Sequence, residues 1–176
     1  MMPFMGLAAQ DLDAQYAVDL LKPGTPAPDF TLNDINGKSV TMSSFRGRKV
    51  VLVFWASWCP DCRAEVPELK ALSAGANPEK VAFVSVSFDR SLEALQNYVG
   101  ENYLPGVQLY DPAGKKESKV AADYGVKWIP SLYLLDQSGK VELGTVMIEK
   151  IAKALSSASA PKKTGHGLCS DESCAL

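Results

Sequence analysis

The chain has 176 residues, 47% of them hydrophobic and 22% charged, with a formal net charge of −2. That length carries one domain with a full core and is short for two ordinary ones. The slightly acidic balance excludes an electrostatic footprint for nucleic acid or anionic lipid, and the densest basic cluster, Arg46, Arg48 and Lys49, reads as a solvated turn.

Residues 1–9 (MMPFMGLAA) are apolar and end in small residues, as a secretory signal does at its cleavage site. The first positive residue is Lys22, so the segment reads as a signal remnant whose upstream part is missing. An ordinary apolar extension stays open as the alternative. The run is too short to span a bilayer, and no lipid-attachment cysteine follows it. The compartment this implies is the periplasm or another extracytoplasmic space.

Residues 10–26 form an N-terminal extension that ends in a rigid, turn-rich entry, KPGTPAP at 22–28. Two short alternating segments, 30–32 and 39–42, flank Asn36-Gly37 and predict a β-hairpin. Residues 50–55 and 81–86 are continuous apolar runs, as strands buried on both sheet faces are. Between them, residues 60–74 have helical spacing, with Pro60 suited to the first turn and Pro67 expected to kink the helix. A second helix is expected from Ser91 to Gly100, capped by the serine and closed by the glycine. A third is expected over 116–124. The segments 132–135 and 141–143 bracket a turn and predict a hairpin, and a last helix covers 146–155. This order implies an α/β domain over residues 27–155, with a mixed sheet covered by helices. Residues 156–176 read as a flexible tail, Ser-, Ala-, Lys- and Gly-rich as far as residue 167.

The four cysteines fall as two close pairs, Cys59/Cys62 and Cys169/Cys174. Such pairs read as redox couples or metal ligands, because a chain of this size needs no staples. Cys59 and Cys62 stand where a buried strand meets a helix. Their spacing lets the sulfurs close a small disulfide ring, and the helix N-terminus offers N–H groups and a positive dipole end to the first sulfur. The thiolate is the nucleophile. Cys59, expected to be the more exposed, would attack a partner disulfide, and Cys62, one turn in, would resolve the mixed disulfide.

Residues 54–67 (FWASWCPDCRAEVP) resemble the active-site segment of the TlpA/ResA-like branch of the thioredoxin superfamily. The resemblance runs from about residue 27 to 155 and includes DFTL at 29–32 and GVKWIPS at 125–131. It implies a thioredoxin-like fold, a central mixed sheet flanked by helices, with an extra N-terminal β-hairpin. It implies a thiol–disulfide oxidoreductase with no cofactor beyond the Cys59–Cys62 redox disulfide, acting on protein thiols and disulfides of the cell envelope. A membrane electron donor would recharge it.

Pro130 matches the family's cis-proline facing the disulfide, with Ile129 beside it. Trp58, Pro60 and Asp61 would meet the substrate, and Glu65 matches a carboxylate that handles protons in some members. A solvated helix residue is the alternative for Glu65, and packing is the alternative for Trp58. Many relatives carry proline immediately before the second cysteine. Here Pro60 comes first and Asp61 second, and the Asp61 charge would oppose a thiolate at Cys59. A reducing protein is therefore expected.

Other chemistries fit less well. Zinc could use Cys59, Cys62, Cys169 and Cys174, with His166 as a substitute, but the first pair sits between core elements and not in a loop knuckle. A peroxiredoxin would need a different residue where Ala56 stands. A cysteine hydrolase would need an ordered base, and the sole histidine is His166 in the tail. A binding protein or chaperone that keeps the disulfide only for structure remains a separate class. The Cys169/Cys174 pair reads as a tail disulfide or, more sharply, as a second redox pair relaying electrons to Cys59/Cys62. An extended tail of thirteen residues reaches about 43–47 Å, so distance permits that relay without arguing for it.

Overall fold

A computed structural model describes residues 10–158. Its strands are β1 (Thr31–Asp34), β2 (Ser39–Thr41), β3 (Lys49–Trp55), β4 (Val81–Ser87), β5 (Val107–Tyr110), β6 (Ser131–Leu135) and β7 (Val141–Thr145). Its α-helices are α1 (Asp13–Tyr16), α2 (Pro60–Gly75), α3 (Leu92–Asn102), α4 (Gly114–Glu117), α5 (Lys119–Asp123) and α6 (Ile148–Ala158).

The strands form one mixed sheet in the order β2-β1-β5-β4-β3-β6-β7. The two apolar runs make its centre, with β3 and β4 parallel from Lys49↔Val81 to Trp55↔Ser87. Side chains alternate across a strand, so β3 feeds two cores. Leu52 and Phe54 join Val84, Val86, Leu109, Tyr124 and Tyr133 on one face. Val51, Val53 and Trp55 join Leu69, Leu95, Leu132, Ile148 and Ile151 on the other. Each fully buried side chain of this size contributes about 1.5–3 kcal/mol. Both cysteines of the first pair belong to the second face.

β1 and β2 pair antiparallel, and β1 continues the sheet by pairing with β5. The turn between them needs Gly37 at φ 82° and is held by the Asp34 carboxyl, which accepts from the Asn36 and Lys38 amides.

Several helix boundaries differ from the sequence expectation, each for a local reason. α2 runs unbroken through Pro67 to Gly75. α3 passes Gly100 and stops at Asn102, where Tyr103 takes the left-handed capping conformation at φ 51°. The expected helix over 116–124 is two short ones, because Ser118 is extended between them. Its hydroxyl donates to Asp111 at 2.5 Å and accepts from the Ala121 amide at 2.9 Å, starting α5. α6 begins at Ile148, two residues late, since Thr145 Oγ1 takes the Met147 amide and Asp13 takes that of Val146. It then extends to Ala158, so residues 156–158 are helical.

The extension before residue 27 is bound to the domain along its length. Asp13 accepts from Thr145 Oγ1 and the Val146 amide at 2.8 Å, and Lys150 bridges it to Asp11. Leu20 is buried, and the Leu21 amide donates to the Tyr133 hydroxyl at 2.9 Å. Tyr133 in turn donates to the Tyr124 carbonyl, and Tyr124 donates to the Pro28 carbonyl. Thr25 and Gly24 exchange backbone hydrogen bonds with Val141 at the start of β7.

Candidate active site

The site is built where β3 ends and α2 begins. Cys59 is the N-cap of α2 in extended conformation, with Pro60 in the first turn, where no amide donor is missed. The Cys59 sulfur accepts the Cys62 amide at 3.2 Å, one of the donors a helix start leaves unpaired. On its other side the Cys59 thiol faces the Ile129 carbonyl at 3.7 Å. The Ile129–Pro130 peptide bond is cis. Both cysteines are free thiols.

The sequence led us to expect Cys59 to be the more exposed of the two. In fact Cys59 and Cys62 are 5% and 4% exposed, because the 129–130 loop lies over Cys59 as the core lies over Cys62. Trp58 beside them is 53% exposed. Pro60 and Asp61 are exposed at the helix start.

Glu65, half-buried, lines the same narrow cavity as Cys62, together with Trp55, Pro130, Leu132 and Ile148. Burial pushes its carboxyl from 4.5 up to about 8, against the Ile148 amide that hydrogen-bonds it, and the nearby Glu149, Glu68 and Asp61 charges add to the rise. Burial likewise pushes the Cys62 thiol well above its ordinary range, reinforced by Cys59 and by Glu65.

A raised carboxyl has a signed consequence for stability. Between 4.5 and about 8 the folded chain holds the Glu65 proton more tightly than the unfolded one, so this residue's contribution falls as pH rises through that window. Glu65→Gln should therefore gain stability relative to the parent at pH 9 and not at pH 4. The full shift corresponds to about 5 kcal/mol, and partial access to water reduces the expected gain to about 2 kcal/mol. Denaturant midpoints at the two pH values measure it; parallel pH dependence in the two proteins would contradict the placement of Glu65.

Sequence reasoning missed a second support. Asp89, just beyond β4 and 2% exposed, receives the Ser57 amide on both carboxyl oxygens at 3.2 Å, the Ser57 hydroxyl at 2.6 Å and the Ser87 hydroxyl at 2.6 Å. It thus fixes the turn two residues before Cys59. The one available signal was a carboxyl directly after a buried strand, which must find donors. Tyr16 and Leu12 were missed too: Tyr16 sets its ring edge-on to Trp128 at 4.7 Å, and both line a groove with Asp61, Glu65 and Pro130. Cys169, Cys174 and His166 lie outside the described residues. Among the described residues no cluster of metal-ligating side chains is found.

Known proteins give a consistent comparison. The Redoxin family model matches residues 22–156. The thioredoxin-like protein YneN of Bacillus subtilis is 30% identical over 141 residues, 77% of this chain and 79% of YneN. The thiol-disulfide oxidoreductase ResA of Bacillus anthracis is 30% identical over 118 residues, 67% of this chain and 66% of ResA. Among solved structures, a thiol-disulfide oxidoreductase from Bacteroides fragilis superposes with a TM-score of 0.70 at 30% identity, covering 76% of this chain and 99% of that one.

Proposed function

The chain belongs to the Redoxin family, within the TlpA/ResA-like thiol–disulfide oxidoreductases of the thioredoxin superfamily, and from that premise we propose that it reduces disulfides of extracytoplasmic proteins through Cys59 and Cys62. The observation that carries this reading is the Cys59 sulfur itself, capped by the Cys62 amide and facing the Ile129 carbonyl. A sulfur so held has a donor where negative charge gathers, and a backbone edge beside it for a partner chain.

The steps balance as follows. The Cys59 thiolate attacks one sulfur of the partner disulfide, that S–S bond breaks, and the expelled sulfur leaves as a thiolate that takes up a proton. Cys62 then gives up its proton and attacks the Cys59 sulfur. The Cys59–Cys62 disulfide forms, and the partner's second sulfur leaves and is protonated. Two electrons and two protons pass to the partner. Burial makes the Cys62 proton hard to remove, and Glu65, in the same cavity with a proton affinity near neutrality, is the base we assign to it.

Trp58, Pro60, Asp61, Ile129 and Pro130 form the rim that a partner meets. An extracytoplasmic setting is part of this reading, and in it a membrane donor would supply the electrons. No helix among the described residues is long and apolar enough to cross a membrane. The Cys169/Cys174 pair stays a proposed second redox couple.

The direction is tested by the redox equilibrium of the Cys59–Cys62 pair with glutathione. A potential nearer that of thioredoxin, about −270 mV, is expected; one near about −120 mV would make the protein an oxidant and overturn the reductive reading.

A further inference from the structure

Beside the Cys59 rim lies a groove of about 450 Å³ that sequence resemblance does not anticipate, because one wall comes from the N-terminal extension. Leu12 and Tyr16 form that wall, with Trp128 packed against Tyr16 and Val146 also lining the groove. Asp61 and Glu65 supply its carboxyls, and Ile129, whose carbonyl faces the Cys59 thiol, continues it to the reactive sulfur. The wall is held in place: Asp13 is fixed to Thr145, Val146 and Lys150, and Tyr16 is packed on Trp128.

Two properties select an occupant. The walls are apolar and aromatic, and Leu12 and Trp128 are 41% and 54% exposed in the one groove; exposed apolar surface concentrated at one place marks a contact site. The local charge is net negative, three carboxylates against Arg63. Asp61, Glu68 and Glu149 lie close enough to Glu65 to help hold its proton, and among the described residues none of these three carboxylates is in an ion pair. Of the neighbouring cations, Lys127 is paired with Asp19 and Lys150 with Asp11 and Asp13, while Arg63 of α2 acts on Tyr98.

A side chain with a long apolar stem and a positive head satisfies both conditions, lying along the wall and ending at the Asp61 carboxylate or over an aromatic face. We propose that this groove is a subsite for a lysine or arginine side chain standing within a few residues of the partner's reactive cysteine, and that residues 11–16 form one of its walls. The inference rests on the oxidoreductase reading above and specifies the substrate class of that site.

Short disulfide-linked peptides that differ only in the residue next to cysteine provide the test, with arginine, norleucine and glutamate compared by kcat/KM. An exposed ion pair and a cation–aromatic contact together are worth roughly a five- to tenfold preference for arginine over norleucine, with glutamate slowest. The arginine preference should shrink toward one in Asp61→Asn and at high salt, since exposed charges are screened. Tyr16→Ala should also reduce the ratio, and Tyr16→Phe should restore it. Equal rates for the three peptides, or norleucine ahead of arginine, would overturn the subsite while leaving the oxidoreductase reading standing. Failure to reduce any of the peptides would instead strike at that reading.

Discussion

Cys59→Ser should lower the turnover of insulin disulfides by a factor on the order of 10³ or more, because a serine hydroxyl is not ionised at neutral pH and cannot take the place of a thiolate. Cys62→Ser should fail differently. Its Cys59 can still attack, but no second sulfur is left to release the partner, so a mixed disulfide at Cys59 accumulates and appears by mass as one bound partner chain. The pair of outcomes divides the labour that the geometry suggests, since the Cys59 sulfur faces the Ile129 carbonyl while Cys62 lines the narrow cavity with Glu65. Parental turnover in Cys59→Ser would move the chemistry elsewhere and favour a thioredoxin-fold binding protein. A trapped species in Cys59→Ser with none in Cys62→Ser would reverse the two roles.

Asp89→Ala should cost about 3 kcal/mol of stability. The substitution strands the Ser57 amide, the Ser57 hydroxyl and the Ser87 hydroxyl in a region where the parent carboxyl is 2% exposed. Each abandoned donor costs on the order of 1 kcal/mol or more. Relief from burying the carboxyl offsets part of this, as its partners are neutral groups. Asp89→Asn keeps the shape and one oxygen, and should lose about half as much. Urea midpoints at unchanged slope measure both. The alanine variant should also reduce insulin more slowly, because the turn that aims Cys59 is no longer tied to β4. A loss below about 0.5 kcal/mol would show that Ser57 and Ser87 find other partners.

The parts legible in the sequence are those whose cause is local. The runs at 50–55 and 81–86 announced β3 and β4 because a strand buried on both faces has no polar positions to hide. The cysteines announced themselves by sitting between such a run and a proline-opened helix. Ser91 acted as the cap it was read as, accepting the Ala94 amide. What could not be read depends on partners far along the chain. Residues 10–21 have no periodicity to betray that Asp13 meets Thr145 and Val146, more than 130 positions away. The late start of α6 follows from the same contact. The burial of Cys59 depends on Ile129, 70 residues away, and a motif alone holds no information about what lies above it. Asp111, only seven residues before Ser118, recruits it and splits the expected helix over 116–124, a local side-chain contact overriding helix propensity.

A seven-stranded sheet has two margins at which a foreign strand could add itself, and the chain treats them unequally. At β7 the backbone is met by its own N-terminal segment: Thr25 and Gly24 pair with Val141, Leu21 passes against Gly144, and Asp13 holds the Val146 amide. Those groups are not free to template aggregation. The opposite margin, β2, offers only three residues. The same short segment that walls the groove beside Cys59 therefore also guards the molecule against self-association, and a protein that must expose an apolar rim to its partners gains solubility from having its longer open edge already closed.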